Sequence, residues 1–219
     1  MITSARLNSI PNIAHGFGTE AELVPRVLQP RWDLRPSKKQ VHGTRAANIV
    51  DVRQQVGEAD AFHTAAAGIP VSVITADCVP LLLAKRDGSR VAAVHAGWRG
   101  LAGGIIPAVL EELKGGRDWI AAVGPTICPS CYEVSPELAH DFARRFPGIA
   151  ANELLPQPRH LNLRAVAAHQ LRAAGVEAID QVGGCTCCAR DEHGMRVYRS
   201  YRRGDRNSQQ HSGLFIRPE

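Results

Sequence analysis

The sequence predicts a mixed α/β fold, and three observations carry that expectation. Short runs rich in β-branched residues alternate with stretches of helical periodicity along most of the chain. Gly and Pro punctuate those runs where strands and helices must stop. The 219 residues, 44% of them hydrophobic, are enough for a substantial core. No repeat, low-complexity tract or linker divides them, so residues 1–219 are expected to form a single domain.

The elements follow in order. Asn48–Val52 and Val71–Thr75 read as strands, the second stopped by the Asp77-Cys78-Val79-Pro80 corner. Leu81–Ala84 reads as a buried strand that turns at Asp87-Gly88 and pairs with Arg90–Val94. Helical periodicity over Leu101–Lys114 ends at Gly115-Gly116, where glycine tolerates a left-handed cap. Trp119–Val123 is a strand closed by Gly124-Pro125. Ser135 is an N-cap, with Pro136 in the first turn of a helix reaching Phe146. Another helix spans Leu163–Ala174 before Gly175, and strands are expected near Ala178–Asp180 and Met195–Tyr198.

Composition narrows the function. No apolar run approaches the roughly 18 residues of a membrane span. Met1–Arg6 has no basic region leading into an apolar stretch, so a cytoplasmic location is expected. The net charge of +5 is carried mostly by dispersed Arg, and aromatics are only 5% of residues. A nucleic-acid footprint would cluster both, so neither a nucleic acid nor a membrane is expected as partner. An anionic small substrate fits the charge, and a monomer is the expectation.

Three phrases carry metal-capable side chains: Gln40-Val41-His42-Gly43, Thr75-Ala76-Asp77-Cys78-Val79-Pro80, and Ala93-Val94-His95-Ala96-Gly97-Trp98-Arg99-Gly100. Two imidazoles and a thiolate suit zinc, and a site with three protein ligands points to catalysis because structural zinc is usually closed by four. Sequence separation alone does not prove that His42, Cys78 and His95 meet. Asp77 is a candidate carboxylate behind the ligands, or a turn residue. The glycines after His95 surround a helix start, where backbone N–H groups and the Arg99 fork suit an anion. The other cysteines form Cys128-Pro129-Ser130-Cys131 and Cys185-Thr186-Cys187-Cys188. The first spacing suits a zinc knuckle; the second, taken as pairs separated by one residue or none, is poor geometry for one. Free cysteine also packs as a small buried hydrophobe.

These phrases closely resemble signature blocks of the YfiH-type family, variously called laccase-domain, polyphenol-oxidase-like, purine nucleoside phosphorylase or peptidoglycan-editing proteins. Gly124-Pro125-Thr126-Ile127 through Cys131-Tyr132-Glu133-Val134, the Cys185-Thr186 phrase and Ser200-Tyr201-Arg202-Arg203 extend the resemblance from about residue 40 to 203. It implies a single-domain layered α/β sandwich, with zinc on His42, Cys78 and His95 and copper as a rival ion. It also implies phosphorolysis of adenosine, inosine and methylthioadenosine, with adenosine deamination at the same site. Purine nucleoside and phosphate are then the small-molecule partners. The expected catalytic residues are His42, Cys78, His95, Asp77 and Arg99, with Glu133 a further candidate proton carrier. Gln40, Arg99, Arg202 and Arg203 are the expected substrate contacts.

Several positions depart from the pattern. The loop after His15-Gly16-Phe17-Gly18-Thr19 is short, Asn162 stands where an aspartate is common, and Ala168 where an asparagine is usual. Asn207-Ser208-Gln209-Gln210 occupies the neighbourhood of a customary Thr-Gly-Arg. These changes touch the substrate periphery rather than the metal block. The rival functions are a copper polyphenol oxidase, a cysteine or zinc hydrolase acting on cell-wall precursors, and a non-catalytic metal-binding protein. Multicopper oxidation needs clustered histidines, and this chain has no His-x-His pair.

Overall fold

The computed structural model describes residues 1–206 and 209–218. Its strands are β1 (Ile13–Phe17), β2 (Ser37–Lys39), β3 (Ala46–Asn48), β4 (Gln55–Glu58), β5 (Ala61–Thr64), β6 (Val71–Thr75), β7 (Val79–Lys85), β8 (Val91–Ala96), β9 (Trp119–Val123), β10 (Ala178–Gln181) and β11 (Gln210–Ile216). Its helices are α1 (Ala5–Asn8), α2 (Trp98–Gly103), α3 (Ile105–Glu112), α4 (Pro136–Arg145), α5 (Ala151–Leu154) and α6 (Leu163–Ala173).

A six-stranded sheet in the order β10-β9-β7-β8-β5-β3 forms the middle layer. The strands of its centre are apolar on both faces because both faces are covered. Along β7, Leu81 and Leu83 face a cluster with Leu101, Ile105, Val109, Phe142 and Val166 from the helices. Leu82 and Ala84 face the other way, into a cluster with Phe17, Val71, Val73 and Leu214 from the three-stranded sheet β1-β11-β6. Helices, six-stranded sheet and three-stranded sheet therefore stack as layers, each buried by the next. Truncating a residue such as Leu82 or Leu83, both fully buried, costs about 2–5 kcal/mol.

The β7–β8 hairpin forms as expected, antiparallel with Leu81 opposite Val94 and Ala84 opposite Val91. Ser135 caps α4 by accepting from the Leu138 amide, and α6 ends one residue before the expected boundary. Three expectations are corrected. The strand expected at Asn48–Val52 lies earlier, as β3 at Ala46–Asn48, and Val50 and Val52 point to solvent. The Leu101–Lys114 helix is two helices, α2 starting at Trp98 and α3 at Ile105, with Gly104 between them at φ 82°. That left-handed backbone suits glycine and interrupts the helical ladder. Met195–Tyr198 is not a strand: Met195 is exposed, and only an isolated bridge joins Arg190 to Arg196. No helix among the described residues is long and apolar enough to cross a membrane.

The three-stranded sheet holds one buried and one half-buried imidazole, both kept neutral. His15 on β1 accepts the Ser4 amide at Nε2, 2.8 Å away, and burial, then Arg217, brings its pKa down to about 4. His211 on β11 packs edge-on to Trp32; burial, then Lys38 and Arg35, brings it to about 4 as well. A pKa below the unfolded value of about 6.5 stabilises the fold fully above that pH, and the contribution is lost as pH falls toward 4. The denaturant midpoint should therefore drop between pH 6.5 and 4, with a limiting loss of about 3 kcal/mol per histidine. A His15→Gln variant should flatten that slope, and an unchanged slope would contradict the assignment.

Candidate functional site

Three separate segments deliver the metal-capable side chains to one place. His42 lies on the turn between β2 and β3, Cys78 on the corner between β6 and β7, and His95 near the end of β8. Pairing of Pro80 with His95 across the β7–β8 ladder sets the cysteine corner beside the second histidine. His42 Nε2 stands 3.8 Å from Cys78 Sγ, and the two imidazole rings meet edge to face at 4.6 Å. One donor atom from each of the three residues lies within 4.8 Å of the others, and no fourth His, Cys, Asp or Glu joins them among the described residues.

The carboxylate that organises this trio is Asp60, which sequence reasoning missed. It is fully buried just ahead of β5, and its Oδ1 accepts from His95 Nδ1 at 2.7 Å. The same carboxylate receives three consecutive amides: Val41 at 3.1 Å, His42 at 2.9 Å and Gly43 at 2.7 Å. His42 sits at φ 60°, a left-handed conformation uncommon for a side-chain-bearing residue. The three amides gripped by Asp60 hold that turn in place. Burial opposes ionisation of Asp60, but His95 and then the Gly43 and Val41 amides outweigh it and lower its pKa. With Nδ1 bonded to Asp60, His95 is left to present Nε2 toward Cys78 and His42.

The protonation states suit a metal. Burial alone would raise the Cys78 thiol, but the His42 and His95 rings beside it prevail and bring it down to about 7. Burial opposes a charge on His95, yet Asp60 and then Cys78 carry its pKa up to about 9. The metal-free pair is thus a thiolate beside an imidazolium between those values, and a metal ion would take the place of that proton. Gly97 closes the cradle, since a Cβ there would meet His42 Cδ2 at 2.9 Å and Cys78 Sγ at 3.0 Å.

The trio opens on a cavity of about 630 Å³ lined by Lys38, Gln40, Asp77, Trp98, Arg99, Tyr132, Tyr201 and Arg202 among others. Asp77 is not the carboxylate behind the ligands. Its backbone is at φ 94°, its Oδ1 accepts from Thr186 Oγ1 at 2.6 Å and its Oδ2 from the Arg202 amide at 2.7 Å. Gln40 clamps the Ile74 backbone, donating to its carbonyl and accepting from its amide. Arg99 is exposed and lies over the Trp98 ring at 4.7 Å. Arg202 lies over Tyr132 and donates to the Glu133 carbonyl.

Two expected residues stay outside the cavity. Arg203 is spent on the carbonyls of Thr186, Cys187 and Tyr198 and on Asp205. Glu133 is exposed and paired with Arg159. Asn207 and Ser208 lie outside the described residues. Lys38 is a cavity residue that sequence reasoning missed. Its ammonium is enclosed over the Phe62 ring at 4.2 Å without a hydrogen-bond partner, and burial, then Arg35, lowers its pKa to about 7. Only its alternation with Gln40, one residue past the end of β2, could have pointed to it.

A family profile described as multi-copper polyphenol oxidoreductase laccase matches residues 26–216. The chain belongs to that family. Within it, the chain is 33% identical over 185 residues to a purine nucleoside phosphorylase of Xylella fastidiosa, covering 81% of this chain and 69% of that protein. It is 38% identical over 156 residues to adenosine deaminase RL5 from an unknown prokaryotic organism, covering 68% and 59%. The crystal structure of the Neisseria meningitidis protein NMB0706 superposes with a TM-score of 0.82 at 24% identity, covering 100% of this chain and 99% of that one, and shares the fold. This laccase-family chain brings together two groups of metal-capable side chains among its described residues: the trio above and a set of four cysteines.

Asp60 and the thiolate each make the site testable. Asp60→Asn keeps the shape but loses the charge behind His95, and zinc affinity measured by competition with a chromogenic chelator should fall about 10–100-fold. In metal-free protein, alkylation of Cys78 followed by peptide mass spectrometry should rise through pH 7, and in His42→Ala the midpoint should move upward. A wild-type midpoint near an ordinary thiol value of about 8.5 would contradict the site's electrostatics.

Proposed function

We propose that this chain is a metal-dependent purine nucleoside phosphorylase that also deaminates adenosine, acting as a single catalytic domain in the cytoplasm. The observation that carries the reading is the convergence of His42, Cys78 and His95 on a cavity whose other walls are aromatic and cationic. The names of the two relatives agree with it.

The donor set fits zinc: two imidazole nitrogens, a thiolate of lowered pKa, and a carboxylate fixing the tautomer of one histidine. Bound there, zinc would supply a Lewis acid with a position left for water or substrate. The rest is work for the chain's own groups. Trp98, Tyr132 and Tyr201 offer ring faces to a purine, and about 630 Å³ is within the size range of small-molecule sites. Arg99 supplies a planar donor fork for phosphate. Arg202 adds positive charge while its own fork rests on the Cys131 and Glu133 carbonyls, and the enclosed Lys38 adds a cation whose charge is most favourable with an anion beside it. Asp77, held by Thr186 and the Arg202 amide, fixes the cysteine corner to the arginine segment and so sets phosphate donors against the metal ligands.

Two reactions follow. With phosphate, adenosine would give adenine and ribose 1-phosphate as the C1′–N bond breaks and a phosphate oxygen bonds to C1′. With water, adenosine would give inosine and ammonia. Multicopper oxidation finds less support, because the two groups contribute only two histidines.

The experiment is adenosine turnover with and without phosphate, on protein whose metal content is known from elemental analysis. Phosphate-dependent adenine release that disappears in His42→Ala is expected. Arg99→Ala should raise the phosphate KM about tenfold or more, the loss of one charge-assisted contact. Full turnover in metal-free His42→Ala, or zinc-loaded wild type without nucleoside turnover, would overturn the reading.

A further inference from the structure

Four of the six cysteines take no part in the cavity site and gather elsewhere. Cys128 and Cys131 come from the turn after β9, and Cys185 and Cys188 from the loop after β10. Their four sulfurs all lie within 4.8 Å of one another, and Cys128 Sγ stands 3.9 Å from Cys188 Sγ. A tetrahedron of sulfurs about 2.3 Å from a central zinc ion has edges of about 3.8 Å. All six cysteines are free, so these sulfurs are not joined in pairs.

The spacing in the chain agrees. The second cysteine run does not pair through neighbours: Cys187 stays out of the cluster, and Cys185 joins Cys188 across two residues, as Cys128 joins Cys131. Both halves are therefore Cys-x-x-Cys, which corrects the expectation of poor knuckle geometry. The backbone around Cys185 suits a thiolate: the Cys128 amide donates to its sulfur at 3.2 Å. Arg164 stands behind the cluster, donating to the carbonyls of Gly124, Val182 and Gly183, and its positive charge opposes the net −2 that four thiolates and one zinc ion would carry.

We propose that Cys128, Cys131, Cys185 and Cys188 bind a second zinc ion in a closed tetrathiolate site that is structural rather than catalytic. Four sulfur ligands leave no position for substrate, and a closed set is the mark of structural zinc. Tetrahedral sulfur also accepts iron, but the exposed Cys188 suits an ion that does not change valence.

The position of the cluster gives the ion a task. A bridge from Thr126 to Cys185 and a hydrogen bond from the Thr186 amide to the Thr126 carbonyl already lay the two loops together. The first loop carries Tyr132 into the cavity, and the second carries Thr186 to Asp77. Zinc on the four sulfurs would fasten the two loops together and so brace one wall of the cavity.

The test uses the full chain, expressed with zinc and freed of loosely held metal on a chelating resin. Wild type should retain two equivalents of zinc, and His42→Ala/Cys78→Ser should retain one. Cys185→Ser/Cys188→Ser should lose one equivalent and melt at lower temperature. Should that variant fail to fold, cobalt substitution of His42→Ala/Cys78→Ser decides, and it should show intense thiolate-to-metal charge-transfer bands. A His42→Ala/Cys78→Ser protein that folds but holds neither zinc nor cobalt would overturn the proposal. So would iron in place of zinc, or alkylation of the four cysteines at equal rates with and without zinc. Loss of metal at the His42–Cys78–His95 site alone would strike the proposed activity and leave this inference standing.

Discussion

The candidate site depends on one buried carboxylate. Asp60 reaches His95 through one oxygen and gathers the Val41, His42 and Gly43 amides with the same group. A carboxylate withdrawn from water has to be fully satisfied, and here four donors accomplish that. The consequence is geometric: a turn from one part of the chain is locked to a strand from another, and both histidines gain fixed positions. The left-handed backbone at His42 is tolerated because three consecutive hydrogen bonds converge on a single acceptor. Removal of Asp60 would release the turn, the tautomer of His95 and the charge balance around Cys78 together.

The layers serve the same end. Burial of β7 and β8 on both faces makes the hairpin rigid, and the antiparallel pairing of Pro80 with His95 leaves no freedom in where the cysteine corner meets the histidine. Gly97 then allows α2 to start directly against the ligands. A site assembled from strand ends and tight turns on a packed scaffold can hold its donors closely without loop motion. The cationic and aromatic walls are built differently. Arg99, Tyr201 and Arg202 are exposed, and they leave room for substrate differences among otherwise similar chains.

Much of the fold was legible because its signals are local. The apolar run of β7, the Asp87-Gly88 turn and the Ser135-Pro136 helix start each declare themselves within a few residues. Gly104 was legible only as a glycine; whether it breaks a helix depends on the packing of α2 against α3. The three metal-capable side chains were legible as chemistry, and a resemblance joined them. Asp60 was not, because Glu58-Ala59-Asp60 looks like any polar turn and its partners lie 17 to 35 residues away. Asp77 drew attention through its neighbour Cys78, yet the positive φ of 94° at that corner turns its carboxylate to Thr186 and the Arg202 amide instead. Cys187 masks the Cys185–Cys188 pair in the sequence, and only its meeting with Cys128 and Cys131 shows which sulfurs belong together.

The central claim is that His42, Cys78 and His95 hold one metal ion under the control of Asp60. Crystals of the zinc-loaded protein, measured on both sides of the zinc absorption edge, test it most directly. The account predicts an anomalous peak within bonding distance of His42 Nε2, Cys78 Sγ and His95 Nε2, with His95 Nδ1 still on Asp60. Zinc-replete protein with no peak between those three atoms, or with His95 turned away from Asp60, would contradict it.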